Sequence, residues 1–183
     1  MPGTLALVGG AEWRVGCDFD RELLELSGAD EVLVVPTAAA YEHPDRIVEA
    51  AERWFSELGA KVRPLRVLTR PDAIDEANAA PIRDAGFVYL SKGSPMHLRS
   101  VLKDSPVWDA LVASWQRGAV LAGSGSGAMV LCDPMVDPRG GAYTVGLGLA
   151  RGLAVFPYHG SAAAHLRDRS IELLPPDAVL VGR

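Results

Sequence analysis

Cysteine is scarce: Cys17 and Cys132 are the only two in 183 residues. They are far apart and lack C-x-x-C spacing, which excludes a disulfide framework, a zinc ribbon and a dithiol redox motif. Reduced thiols and a cytoplasmic location are the expectation, and Met1-Pro2-Gly3 leads straight into an apolar strand without a signal-like region. Long apolar runs are missing too. No stretch approaches the roughly 18–20 residues that cross a bilayer, so no membrane role is expected. Positive charge is in deficit, with 18 Lys and Arg against 23 Asp and Glu and a formal net charge of −5. Without a basic stripe to neutralise phosphates, nucleic acid is not an expected partner. His43, His97 and His165 have no ligand spacing and read as surface or helix residues, so neither a metal nor a cofactor is expected. Repeats, low-complexity tracts and linkers are absent as well. What remains is 49% hydrophobic residues, enough for one compact domain over residues 1–183.

The apolar pattern alternates between two periods. Residues 4–8 form a short buried-type strand that runs into Gly9-Gly10, and residues 31–36 have the continuous β-branched character of a strand covered on both faces. In residues 44–58, Ile47, Ala51, Trp54, Phe55 and Leu58 recur at three- and four-residue steps, one face of a helix stopped by Gly59. Strands are expected again at 61–68 and 87–90, the latter followed by Ser94-Pro95 as cap and first turn of a helix to residue 102. A helix over 106–117, a strand at 119–122, a helix start at 126–131, a Pro- and Gly-rich connection, a strand at 153–156, a helix over 162–174 and a strand at 178–181 complete the reading. This alternation predicts an α/β fold with a doubly wound, mostly parallel sheet and helices on both faces, ligands binding at the carboxyl ends of the strands. Trp54, Trp108 and Trp115 fall on helical faces as core residues. Cys132 reads as a small buried residue.

The strand-to-helix turn at residues 122–130 carries the chemistry-bearing pattern. A serine nucleophile on such an elbow sits in G-x-S-x-G, because the sharp turn needs small residues two places before and after it. In Gly123-Ser124-Gly125-Ser126-Gly127 both flanking glycines are present and the central position is Gly125. The same residues satisfy G-x-G-x-x-A through Ala128, the dinucleotide fingerprint. No acidic residue stands about twenty positions on for a ribose, but backbone N–H groups of the 123–128 loop suit a small anion or nucleotide.

Across nearly its whole length the sequence resembles the cyanophycinase and dipeptidase E family of serine peptidases, whose fold is like that of class I glutamine amidotransferases. The resemblance rests on Leu7-Val8-Gly9-Gly10, Val35-Pro36-Thr37-Ala38, Gly93-Ser94-Pro95-Met96, the elbow, and Phe156-Pro157-Tyr158-His159. It implies a serine nucleophile at the position of Gly125, a histidine at the position of Tyr158 with His159 one place later, and an acid from the stretch of Asp133 and Asp137. It also implies an oxyanion loop where this chain has Lys92-Gly93, and substrate beside Gly10, Glu12 and Trp13. The family continues beyond the strand that here precedes Arg183. These departures imply a degenerate active site retained for binding a small peptide or small acidic ligand, or for stabilising a partner. The alternative is an active hydrolase of small acidic peptides that uses Ser126 or Ser124 with His159 and Asp137, the oxyanion held by backbone around Gly93 and the elbow. Lys92 reads either as an anion ligand or as a solvated cation, and homodimerisation is compatible with the fold.

Overall fold

The computed structural model describes every residue except His159 and Arg183. In chain order its first half contains β1 (Leu5–Val8), α1 (Phe19–Ser27), β2 (Glu31–Val35), a 3-10 turn (Thr37–Ala39), α2 (Pro44–Glu57), β3 (Lys61–Pro64), α3 (Arg70–Ile74) and α4 (Glu76–Asp84). There follow β4 (Phe87–Leu90), α5 (Pro95–Leu102), α6 (Pro106–Gln116), β5 (Val120–Ser124) and α7 (Ser126–Leu131). The last part is built of short strands, β6 (Cys132–Asp133), β7 (Met135–Val136), β8 (Tyr143–Thr144), β9 (Ala150–Arg151) and β10 (Leu153–Val155), then α8 (Ala164–Glu172) and β11 (Val179–Val181).

Five strands form a parallel sheet in the order β1-β5-β4-β2-β3. Successive strand residues face opposite sides, and the two sides have separate cores. Val32, Val34, Phe87, Tyr89, Val120 and Ala122 pack with Leu23 and Leu24 of α1 and Ala51 and Phe55 of α2. Leu33, Val35, Val88, Leu90 and Leu121 face the other way, against α4 to α7. Burial on both faces is why these strands read as unbroken apolar runs.

Local caps fix the helix starts. The Ser94 hydroxyl accepts the His97 N–H, Ser105 accepts that of Trp108, and Pro stands at the start of both α5 and α6. The strand expected at 61–68 ends at Pro64, which lies on the edge strand, where a missing N–H is tolerated. Residues 65–68 leave the sheet, with Leu65 and Val67 buried in the core. Helices α1, α3 and α4 were not anticipated; a Thr69–Asp72 capping box starts α3 and the Asp75 carboxylate caps α4. The Pro- and Gly-rich connection is ordered into a β7–β8 hairpin and a second, four-stranded sheet, β11-β10-β6-β9.

Strand β5 lies between β1 and β4, with Ser124 beside Val8 and Gly123 beside Leu90. The carboxyl ends of these three strands therefore converge, and α7 springs from the middle one. It can do so only because two glycines let backbones touch. A Cβ on Gly123 would lie 2.6 Å from the Gly127 carbonyl carbon, and one on Gly127 would lie 2.4 Å from the Leu90 carbonyl oxygen. Gly127→Ala is expected to lower the unfolding free energy by about 2–4 kcal/mol, measured by urea titration. Gly140→Ala, whose Cβ would meet nothing within 4 Å, is expected to stay within about 0.5 kcal/mol of the parent.

Candidate active-site cleft

Gly125 is the apex of the elbow, at φ 51° and ψ −105°. The left-handed φ costs glycine little and any other residue more. Its N–H donates to the Val8 carbonyl at 2.8 Å and its carbonyl accepts the Met129 N–H at 2.9 Å, so β1 and α7 both hold the turn. No side chain projects from the apex. A Cβ there would lie 3.2 Å from Gly10 Cα, 3.5 Å from Lys92 Cβ and 3.5 Å from the Tyr158 hydroxyl oxygen.

The flanking hydroxyls are buried and engaged. Ser124 is fully buried and its Oγ donates to Glu12 Oε2 at 2.8 Å. Ser126 Oγ donates to the Gly93 carbonyl. Glu12 is itself 6% exposed, and its Oε1 accepts the Lys92 N–H at 3.3 Å. One carboxylate thus joins the loop after β1, the loop after β4 and the elbow. Trp13, next in sequence, adopts φ 59° and turns the other way, its ring 5.1 Å from that of Tyr89 and 6.3 Å from that of Phe55. Gly93 is pressed on the 3-10 turn, where a Cβ would lie 2.2 Å from the Ala38 carbonyl oxygen.

Tyr158 closes the far side. Its N–H donates to the Gly9 carbonyl at 2.7 Å, and its ring lies on Gly10 so closely that a Cβ there would be 2.9 Å from Tyr158 Cε1. Burial, aided by the charges of Glu12 and Glu42, holds its hydroxyl above the ordinary tyrosine pKa. Gly9, Gly10, Glu12, Arg14, Lys92 and Tyr158 line a cleft of about 620 Å³, together with Cys17 and Ser161. No residue from 123 to 128 contributes to its lining.

The expected positions Gly10, Lys92, Gly93, Gly125 and Tyr158 therefore meet at one place, with Ser124 and Ser126 beneath them. Asp137 sits in the β7–β8 hairpin, where Arg139 binds it at 2.6 Å and draws its pKa down. Asp133 Oδ1 accepts the Gly146 N–H at 3.3 Å. His159 lies outside the described residues. Sequence reading placed Glu12 near the site but missed its partners, and it gave Arg14, Cys17 and Asp20 no place there. An acid just beyond the carboxyl end of β1 was the one available signal for Glu12.

The sequence model of peptidase family S51 matches residues 5–150. The chain belongs to peptidase family S51. Cyanophycinases of Trichormus variabilis (strain ATCC 29413 / PCC 7937) and Nostoc sp. (strain PCC 7120 / SAG 25.82 / UTEX 2576) are each 29% identical to it over 160 residues. Those alignments cover 84% of this chain and 54% of each relative, so the chain spans about half the length of the curated relatives it matches. The crystal structure of a peptidase from an acI-B1 Actinobacterium superposes with a TM-score of 0.87 at 29% identity, over 98% of this chain and 79% of that one. A putative peptidase E protein from Listeria monocytogenes EGD-e superposes with a TM-score of 0.74 at 18% identity, over 100% and 91% of the two chains. The five-stranded parallel sheet is thus the S51 architecture. No described helix is long and apolar enough to cross a membrane.

Behind the cleft, Asp20 on α1 is fully buried, with Oδ2 accepting the Trp54 indole N–H at 2.9 Å and Oδ1 lacking a partner among the described residues. Desolvation is the main cause that lifts its pKa to about 7; the Trp54 bond opposes the rise and the nearby Glu12 charge adds to it. An acid that is harder to ionise folded than unfolded makes the folded state bind more protons between the two pKa values, so stability falls as pH rises from about 4 to about 7. Asp20→Asn removes this term. The variant is expected to exceed the parent by up to about 4 kcal/mol in unfolding free energy at pH 8, with the difference shrinking towards pH 4. Urea titrations across that range measure it, and parallel pH profiles for the two proteins would contradict the assignment.

Proposed function

We propose that this S51 protein binds a small acidic peptide or similar anionic ligand in its cleft and does not act as a serine hydrolase. The observation that carries the reading is the apex of the elbow, where Gly125 offers no nucleophile and both neighbouring hydroxyls are buried in other hydrogen bonds. Acyl transfer needs a nucleophile that can reach a carbonyl carbon, a base within about 3 Å of it, and free N–H donors for the oxyanion. Ser124 and Glu12 are close enough to be such a pair, at 2.8 Å. Ser124 is fully buried, however, and absent from the cleft lining, so no substrate carbonyl can approach it. The Lys92 N–H, in the loop from which oxyanion donors would come, is already given to Glu12.

Binding is favoured by what the cleft retains. Arg14 and Lys92 line it, and Glu12 has both of its oxygens engaged by donors, so a carboxylate entering the cleft meets two cations and an acid already satisfied. A nucleotide on the 123–128 loop is less well supported, because that loop does not open into the cleft.

A fluorophosphonate probe followed by intact-mass analysis and peptide mapping is expected to leave the folded protein unmodified. An adduct on Ser124 or Ser126 would overturn the reading in favour of an active hydrolase. Gly125→Ser alone is expected to give no turnover of acidic dipeptides, because the group facing it is the Tyr158 hydroxyl, whose raised pKa leaves it protonated at neutral pH. In calorimetric titration an acidic dipeptide such as Asp-Leu is expected to bind, and Lys92→Ala to weaken it about five-fold, near 1 kcal/mol. Absence of saturable heat with the parent would count against the binding function.

A further inference from the structure

Tyr158 stands between three cavities. Besides the cleft, it lines an apolar pocket of about 220 Å³ with Phe156, Ala162 and Leu166, and a third of about 210 Å³ with Gly160 and Arg167. We propose that the Tyr158 side chain is a gate on the elbow. Closed, it lies across Gly10 and Gly125; open, it swings about its own Cα–Cβ bond into the apolar pocket, and a ligand carboxylate takes the seat over the two glycines. The ligand half of this statement rests on the binding function above.

The backbone of Tyr158 is a fixed pivot. Its N–H is held by Gly9, and its carbonyl accepts from the Ser161 N–H at 3.0 Å and the Ala162 N–H at 2.9 Å. These bonds keep the residue at φ 59°, a conformation that a tyrosine holds only when its surroundings impose it. The ring, by contrast, is weakly held. It is 40% exposed, rests on glycine, and its hydroxyl makes no hydrogen bond to a described residue. Staggered rotamers of an unconstrained ring lie close in energy, and burying a half-exposed ring in an apolar pocket favours the open one. The pocket exceeds the size of a phenol ring, and its Val136, Pro138, Pro157 and Ala163 lining suits one. The vacated seat lies beside Lys92, whose Cβ is 3.5 Å from the Cβ position of residue 125. A ligand bound there favours the open state, so even a minor open population governs affinity.

Fluorine NMR of protein containing 3-fluorotyrosine tests the gate. Only four resonances arise, from Tyr41, Tyr89, Tyr143 and Tyr158, and Tyr158→Phe assigns the last. Microsecond-to-millisecond exchange is expected at Tyr158 in the free protein, and Ala162→Leu, which fills the receiving pocket, is expected to quench it. With Asp-Leu as probe, Ala162→Leu is expected to weaken binding about ten-fold in the parent and to have no effect in a Tyr158→Ala background, where no ring needs the pocket. A Tyr158 resonance without exchange, or equal weakening by Ala162→Leu in both backgrounds, would overturn the gate. If Asp-Leu binds neither the parent nor Tyr158→Ala, the binding function fails, and the exchange measurement still decides the gate.

Discussion

Everything around the cleft depends on how one buried carboxylate is satisfied. One oxygen of Glu12 accepts the Ser124 hydroxyl and the other accepts the Lys92 N–H, and a carboxylate hidden from water without such donors would cost several kcal/mol. The penalty runs in both directions. The loop after β1 cannot leave the elbow without stranding Ser124, a fully buried hydroxyl, and the loop after β4 cannot shift without freeing Lys92. Trp13 makes the arrangement rigid by turning into the core beside Glu12, its left-handed backbone sending consecutive side chains in opposite directions. Cleft geometry is therefore set by core packing on one side and charge satisfaction on the other.

The same site shows that an elbow and its nucleophile are separate properties. Gly123 and Gly127 are required by contact between backbones, whatever stands between them, and Gly125 is at ease in a conformation that strains other residues. With hydrogen as its side chain, the apex takes its positive φ without the strain that a Cβ would bring. An S51 fold can consequently keep its sheet, the helix after its elbow and its converging strand ends with no hydroxyl at the apex of the turn.

Those structural demands are local, which is why they were legible. Strands β2, β4 and β5 announce themselves as apolar runs because both faces are covered, and α2 by its helical stripe. The elbow is readable because steric need fixes its glycines at set spacings. What escaped reading depends on distance or on shortness. Helix α3 has only five residues, too few for a clear period, and Pro64 ended a strand whose apolar pattern ran on. Ser124 and Glu12 are 112 positions apart, and nothing in either neighbourhood names the other. Asp137 looked available in sequence because its partner, Arg139, is ordinary in type and only two residues away. Asp20 gave no sign that helix packing would bury it.

Gly125 and Tyr158 reinforce one another. With glycine at the apex, the Tyr158 ring can lie over the turn, its hydroxyl 3.5 Å from where a Cβ would be. With tyrosine there, a serine introduced at 125 would meet a neutral phenol in place of a base, since Tyr158 is held protonated by burial and by two nearby acids. A phenol in that state can donate or accept a hydrogen bond but cannot remove the serine proton at neutral pH. Together the two residues make a surface of glycine and aromatic ring over the turn, and it is on this surface that the proposed binding function rests.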